Sequence, residues 1–287
     1  MMKLYYYAFS GHKWGLDRVK RGVALINSLK DEGVEVQLLV SDFRAGLVAK
    51  EFGVGDAITM ENMMDIDVIA QKGDVVFLDT PEDISSRLEQ YSDNYSKLFY
   101  IVDSCDKEPL YNELLITPTD DKLSSIMIDK IYFEPLDKVE RRVFFFGDSD
   151  YDKVLLSHRD FFDTLNIELI LGNYFFVKYE DELSKIFKTL HEPEEYQELI
   201  RSSSEVVTTS IQTALEARAS GAKVVYIQMG QNKRCLLDKL ENFGISIIDG
   251  FDNEDLLNTL KQEIKENKKV TTYIDITTQN IKSIVNL

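Results

Sequence analysis

Short runs that are apolar throughout alternate along the chain with longer stretches whose apolar positions recur every three or four residues. The first kind reads as strands buried on both faces, the second as amphipathic helices. Residues 3–9 (KLYYYAF) give the first strand, aromatic rather than aliphatic. Residues 17–31 place Val19, Val23, Ala24, Ile26 and Leu29 near helical spacing, and Gly33 follows as a stop. A second strand spans 34–40, and a helical turn or two covers 47–52. Residues 74–78 (DVVFL), 98–102 (LFYIV) and 113–116 add further short strands.

The pattern restarts after residue 140. Residues 142–146 (RVFFF) read as a strand ending at Gly147-Asp148-Ser149-Asp150, followed by a helical stretch over 153–165. Strands at 167–171, 205–208, 223–227 and 245–248 are interleaved with helices at 181–190, 212–220, 233–242 and 251–266. Pro193 opens one more helix, and Asp252 and Asn253 open the last. Strands separated by helices imply parallel sheets joined by right-handed crossovers. The expected fold is therefore α/β, with two Rossmann-like domains whose parallel sheets face each other across a cleft. Residues 1–135 form an N-terminal acceptor or catalytic half, and 136–287 a C-terminal nucleotide-binding half. The connector falls at 129–141, and the architecture repeats without a repeat of sequence.

Charge narrows the partners. The 287 residues carry 33 Lys and Arg against 50 Asp and Glu, a formal net charge of −17. Such a surface argues against nucleic acid, which needs cations to displace phosphate counterions. A hydrophobic share of 44% argues against disorder. No stretch reaches the roughly 18 to 20 apolar residues that span a bilayer, and residues 1–7 lack a signal peptide's apolar segment, so a cytoplasmic protein is expected. Cys105 and Cys235 lie far apart in sequence with no CxxC partner, and the chain has only three His, so neither a disulfide framework nor a metal site is expected.

Three stretches could carry chemistry. The loop after the first strand, Ser10-Gly11-His12-Lys13-Trp14-Gly15-Leu16-Asp17-Arg18, runs into Lys20 and Arg21. Gly11 and Gly15 let backbone approach a ligand, and a helix start offers N–H donors to phosphate. Arg18, Lys20 and Arg21 oppose the helix dipole there, which an anionic partner explains better than chance does. A solvated helix start is the bland alternative. His12, with an ordinary pKa near 6.5, suits a general base, although a lone His is more often structural. The second stretch is Gly147-Asp148-Ser149, which equally reads as a capped strand-to-helix turn. The third is Thr208-Thr209-Ser210 leading into Thr213 and Glu216. Three hydroxyls before a helix make an anion-type corner, and Glu216 could accept both hydroxyls of a ribose. An exposed helical Glu is the alternative. Asp79 and Asp103, at strand ends, are better placed for function than the Tyr and Phe runs, which read as core.

These stretches, in this order, resemble the pseudaminic-acid-pathway UDP-sugar hydrolases. Those are relatives of the lipid II-forming N-acetylglucosaminyltransferase and share its B-type glycosyltransferase fold. Residues 213–225 are similar to the family's TALE-x-x-x-x-G-x-P block, with Glu216 where the family binds the ribose of UDP. Lys223 replaces the proline. Asn232 resembles the Asn of an Asn-Gln pair, with Lys233 at the Gln position. Gly147-Asp148-Ser149-Asp150 resembles a Gly-Gly-Ser-Asp turn. The family's first loop, Gly-x-Gly-His-x-x-Arg, fits in two registers. One puts Arg18 at the His position with Gly15 and Asp17 as the glycines. The other keeps Gly11-His12 and needs an insertion before Arg21. The family's aromatic pair is Thr80-Pro81 here.

The resemblance implies a UDP-sugar hydrolase or glycosyltransferase acting at the anomeric carbon, in surface-sugar or nonulosonic-acid biosynthesis. His12, or failing that Asp17 or Asp103, would be the base. Gly11, Gly15, Arg18, Arg21, Gly147, Asp148, Ser149, Thr209, Ser210, Thr213, Glu216 and Asn232 would bind the nucleotide and its phosphates. The UDP-sugar is substrate, and no cofactor is called for. A C-terminal segment packing back on the first domain is also implied. The departures in the first loop and the −17 charge motivate the alternative, a non-catalytic member that binds nucleotide-sugar or a partner protein. An NAD enzyme is disfavoured because no G-x-G-x-x-G follows a strand.

Overall fold

The computed structural model describes residues 2–163, 165–230, 234–262, 270 and 273–287. Its strands are β1 (Leu4–Ala8), β2 (Val36–Val40), β3 (Ile58–Thr59), β4 (Val75–Asp79), β5 (Lys97–Ile101) and β6 (Leu114–Ile116), then β7 (Val139–Phe145), β8 (Glu168–Ile170), β9 (Leu190–His191), β10 (Ser203–Thr208), β11 (Lys223–Gln228) and β12 (Ser246–Asp249). Helices α1 (Asp17–Asp31), α2 (Phe43–Glu51), α3 (Ile66–Ile69) and α4 (Ser85–Asn94) accompany the first six strands. Helices α5 (Val154–Ser157), α6 (Arg159–Asp163), α7 (Val177–Leu183), α8 (Tyr196–Ser202), α9 (Ile211–Ala219), α10 (Arg234–Asn242) and α11 (Asn253–Lys261) accompany the rest, and α12 (Tyr273–Val285) ends the chain.

Two compact units result. The first holds residues 1–11, 18–130 and 272–287, and the second holds 12–17 and 131–271. Each contains one six-stranded sheet, in the orders β3-β2-β1-β4-β5-β6 and β12-β11-β10-β7-β8-β9. All pairings are parallel. Counted within its own unit, each sheet has the doubly wound order of a dinucleotide-binding fold. Every residue of β1 and β4 is buried, as expected of strands covered on both faces.

The aromatic runs are core. In the first unit Tyr5 and Tyr7 pack with Leu39, Leu78 and Tyr100. In the second, Phe144 packs with Phe162, Phe187 and Val207. The opposite face of β1 carries Tyr6, whose ring lies under α1. A Cβ built on Gly22 would come within 2.5 Å of Tyr6 Cε1, so only glycine lets the helix sit this close. The C-terminal helix belongs to the first unit, where Ser28 Oγ meets Thr278 Oγ1 at 2.7 Å and Lys282 Nζ meets Glu32 at 2.7 Å.

Some expected bounds shift. The helix expected over 153–165 is two short helices, α5 and α6, and that expected over 181–190 is α7, which starts four residues earlier and ends at Leu183. Strand β7 starts at Val139, inside the expected connector. Helix α4 and the two-residue edge strands β3 and β9 had no counterpart in the sequence reading. Residues 263–266 of the last expected helix lie outside the described residues.

Candidate functional site

In the first unit, chemistry gathers where β1, β4 and β5 end. Asp79 closes β4 and is only 1% exposed. An ionised carboxylate buried this deeply needs donors, and three arrive from two other elements. Tyr6 OH donates to Asp79 Oδ2 at 2.8 Å. Arg21 grips Asp79 with both arms of its fork, Nε to Oδ2 at 2.9 Å and Nη2 to Oδ1 at 2.7 Å. Its remaining arm, Nη1, donates to Asp103 Oδ1 at 2.8 Å. Arg18 Nε lies 3.7 Å from Asp79 Oδ1. Burial alone would lower the Arg21 pKa, but Asp79 and then Asp103 outweigh it and raise it well above the ordinary value. Arg21 in turn holds the Asp103 carboxyl below the usual range, with Arg18 adding to the effect. Tyr6 is pushed up by burial first and by Asp79 second. Lys20 is buried, away from the exposed surface of the loop.

The first-loop residues His12–Asp17 belong with the second unit. His12 is exposed, its ring centroid is 4.7 Å from that of Tyr174, and its carbonyl accepts a hydrogen bond from Ser149 Oγ. Gly15 has φ +68°, a left-handed conformation that favours glycine, and lies against Asp148. Asp17 accepts from Ser210 Oγ at 2.8 and 2.9 Å. Lys13 Nζ sits 4.5 Å from the centre of the Tyr151 ring.

At the end of β7, Asp148 Oδ1 accepts from Asn173 Nδ2 at 2.8 Å. Gly172 packs against this turn, and a Cβ there would meet Gly147 O at 2.5 Å. Asp150 caps α5 through Val154 N at 2.7 Å and Leu155 N at 3.0 Å. At the end of β10, Thr209 Oγ1 donates to the Phe146 carbonyl. Ser210 caps α9 by accepting from Thr213 N at 3.0 Å. Glu216, in the second turn of α9, is 2% exposed, so the alternative of a solvated helical Glu does not hold. Tyr196 OH donates to its Oε2 at 2.6 Å and Gln212 Nε2 to its Oε1 at 2.9 Å. Thr213 Oγ1 meets the same Tyr196 hydroxyl at 2.8 Å. The Tyr196 pKa is driven well up, by burial and then by Glu216.

The structure thus brings Arg18, Arg21 and Asp103 together in one unit. It brings Asp17, Ser210, Thr213 and Glu216 together in the other, and joins His12 and Gly15 to the Asp148–Ser149 turn. Gly11 falls in the first unit. Asn232 lies outside the described residues. Among the described residues no group of three His, Cys, Asp or Glu could hold a metal ion, and no helix is long and apolar enough to cross a membrane. Neither Cys105 nor Cys235 is a free thiol, which corrects the expectation drawn from their separation along the chain.

The sequence reading missed Tyr6, Tyr196, Gln212, Gly22 and Gly172. Two signals were present. A tyrosine in an all-apolar strand must satisfy its hydroxyl, and a glycine inside a helix costs about 1 kcal/mol unless something packs there.

A cavity of about 650 Å³ lies at the other end of the second sheet, where β7, β8, β10 and β11 begin. Its charges pair with groups of the protein: Arg142 Nη2 meets Glu205 Oε2 at 2.6 Å, and Glu168 Oε2 meets His191 Nε2 at 2.7 Å.

No family model and no curated protein matches the chain. Solved structures do. The UDP-GlcNAc 2-epimerase of Methanocaldococcus jannaschii, in complex with UDP-GlcNAc and UDP, is similar over 100% of both chains, with a TM-score of 0.63 and 10% identity. The MnaA–UDP structure of S. aureus is similar over 97% of this chain and 91% of its own, with a TM-score of 0.59 and 12% identity. The Neisseria meningitidis UDP-GlcNAc 2-epimerase bound to UDP-GlcNAc is similar over 99% and 100%, with a TM-score of 0.53 and 11% identity. At these identities the likeness shows the fold. The chain is α/β with two Rossmann-like halves, the B-type glycosyltransferase fold.

Proposed function

We propose that the chain is an enzyme acting on a nucleotide-activated sugar, with UDP as the nucleotide. The observation that carries this reading is Glu216. A carboxylate buried in the second turn of α9 and steadied by Tyr196 and Gln212 is the kind of acceptor that ribose hydroxyls require. It stands beyond the capped start of the same helix, where backbone N–H groups favour phosphate. The fold is one whose solved neighbours include structures named as complexes with UDP and UDP-GlcNAc. Ribose hydroxyls at Glu216, with phosphates near Ser210 and Thr213, would satisfy both features. Gly147, Asp148, Ser149, Thr209 and Asn232 complete the proposed nucleotide set.

The proposed reaction is cleavage at the anomeric carbon. Water or an acceptor hydroxyl attacks that carbon, the bond to the diphosphate oxygen breaks, and UDP leaves with the electron pair. The attacking group's proton passes to a base. His12 is the first candidate, and Asp17 is the second although Ser210 engages it. No cofactor is needed for such a step, and the UDP-sugar is the only small-molecule partner proposed. Positioning and stabilisation of the leaving diphosphate would supply most of the acceleration.

Two other readings have specific support. Several solved neighbours are named as 2-epimerases. A non-catalytic binder is favoured by Arg21, which is engaged by two carboxylates rather than left for phosphate. One set of assays decides. UDP and UDP-GlcNAc are titrated calorimetrically into wild type and Glu216→Ala, and the products of UDP-GlcNAc are separated by chromatography. UDP binding weakened about tenfold or more by Glu216→Ala supports the nucleotide assignment. Release of UDP and free hexosamine supports hydrolysis, and a C2 epimer of the nucleotide-sugar supports epimerisation. Absence of UDP binding by wild type sinks the reading altogether. Turnover unaffected by His12→Ala removes that residue from the chemistry.

A further inference from the structure

Within the second unit, the orientation of the Glu216 carboxylate is set by a residue of another element. Glu216 accepts on both oxygens, as an ionised carboxylate does, Oε2 from Tyr196 OH at 2.6 Å and Oε1 from Gln212 Nε2 at 2.9 Å. The plane of the group is fixed, because turning it about its last bond breaks these hydrogen bonds. The two donors differ in origin. Gln212 lies one turn earlier on α9, so it moves with Glu216. Tyr196 opens α8, and its ring meets the Phe145 ring of β7 edge-on, with centroids 4.9 Å apart and planes at 61°. Tyr196 is only 2% exposed, so packing holds its phenol oxygen and refers the carboxylate to the sheet.

The direction of these bonds follows from a count of protons. Tyr196 has one hydroxyl proton, and an ionised carboxylate can only accept it. Thr213 Oγ1, 2.8 Å from the same phenol oxygen, must then donate. The order is Thr213 to Tyr196 to Glu216. Burial and then Glu216 keep the phenol protonated by driving its pKa well up. The Thr213 hydroxyl proton is thereby committed to the protein, so its side chain supports Glu216 and does not donate to a phosphate. A ribose presents two hydroxyls on neighbouring carbons, and a carboxylate of fixed plane offers two acceptor oxygens side by side. A carboxylate free to turn would lose rotational freedom on taking both hydroxyls and so gain less from the second.

We propose that Tyr196 is a positioning residue: by fixing the plane of the Glu216 carboxylate, it makes the second unit select a ribonucleotide over its 2′-deoxy counterpart. The ligand part rests on the nucleotide-sugar reading, and the chain of hydrogen bonds from Thr213 through Tyr196 to Glu216 does not.

The test titrates UDP and 2′-deoxy-UDP calorimetrically into wild type, Tyr196→Phe and Glu216→Ala. Tyr196→Phe keeps the ring against Phe145 and removes only the hydroxyl. Glu216→Ala sets the preference expected without any carboxylate. Wild type should bind UDP about tenfold or more tighter than 2′-deoxy-UDP, because a site built to pair a hydroxyl rejects the analogue that lacks it. Tyr196→Phe should weaken UDP about fivefold or more and leave 2′-deoxy-UDP within about twofold, so that the preference collapses. A general loosening of the fold would weaken both compounds and leave their ratio standing. An unchanged ratio in Tyr196→Phe therefore overturns the positioning role. Equal affinities in wild type overturn the ribose selection while leaving UDP binding itself intact. If wild type binds neither compound, the nucleotide reading and the ligand part fail together, and a ligand-free measurement decides the rest. The Tyr196 hydroxyl proton should give a downfield, exchange-protected ¹H NMR signal, absent from Tyr196→Phe and shifted in Thr213→Val. No such signal, or one indifferent to Thr213→Val, overturns the chain of hydrogen bonds.

Discussion

At the end of β4, the fourth strand of its sheet, stands Asp79. At the end of β10, the fourth strand of the other sheet, the chain runs Thr208-Thr209-Ser210. The two sheets have the same strand order, so these positions correspond. One unit places a buried charge there and recruits a cation from α1 to neutralise it. The other places hydroxyls there: Thr209 donates to backbone, and Ser210 caps α9 while donating to Asp17. The buried carboxylate of Glu216, on the following helix, accepts hydrogen bonds from the neutral donors Tyr196 and Gln212. A shared topology thus fixes where chemistry can stand but leaves open whether it is done by ion pairs or by dipoles. The ion-paired end is the more specified and the more fragile, because removing either partner strands a charge in apolar surroundings.

The largest expected effect follows from that fragility. Arg21→Met removes the cation that is hydrogen-bonded to buried Asp79, leaving only Arg18 at 3.7 Å, and should destabilise the first unit by about 3 kcal/mol or more. Denaturant unfolding followed by hydrogen exchange on β1, β4 and β5 checks it, since the two units need not unfold together. Adding Asp79→Asn removes the stranded charge and should recover a large part of the loss. No recovery would mean that the cost comes from packing rather than charge, and the contrast between the two sheet ends would weaken.

Next in size is Gly22→Ala. Helix propensity alone favours alanine by about 1 kcal/mol. The new Cβ would lie 2.5 Å from Tyr6 Cε1, however, and overpacking of this kind costs about 1–3 kcal/mol. A net loss of stability is expected, with weaker protection of α1. Combining it with Tyr6→Leu should relieve the clash. A stabilised Gly22→Ala would show that the helix can lift without cost, and Tyr6 would then not set the position of Arg21.

In the second unit the matching substitution is Tyr196→Phe. It removes one neutral donor shared by Glu216 and Thr213, so a loss of about 1–3 kcal/mol is expected. That places it below Arg21→Met, as a dipole-built end requires. Thermal denaturation of the two variants side by side ranks them. The reverse order would erase the distinction.

Much of this arrangement was legible in the residues. Strands β1, β4 and β5 were readable because parallel strands covered on both faces are apolar throughout. Asp252 announced the start of α11 and does cap it, accepting from Asp255 N at 2.9 Å. The strand-end positions of Asp79 and Asp103 singled them out. What could not be read was pairing. The loop at 10–18 reads as a cationic corner because Arg18 and Arg21 are near in sequence, whereas Asp79 and Asp103 are distant in sequence and near in space. The burial of Glu216 was hidden for the same reason, since Tyr196 lies on another helix. Edge strands β3 and β9, two residues each, are too short to show any period.

The smallest expected effect tests the charged end through pH. Arg21 lowers the Asp103 pKa in the folded state. A carboxylate with a depressed folded pKa binds its proton more readily when unfolded. It therefore contributes stability that is fully present above its unfolded pKa, about 3.9, and that contribution is lost as pH falls through the lower folded value. With the Asp103 side chain 55% exposed, solvent screening limits the contribution to about a few tenths of a kcal/mol. Stability of wild type minus that of Asp103→Asn, measured by denaturant midpoints from pH 6 down to pH 3, should shrink by this amount. Taking the difference cancels the other carboxylates. A difference that stays constant over this range would mean that Arg21 does not hold Asp103 below the ordinary carboxylate value, and the charged sheet end would lose the electrostatic feature that sets it apart.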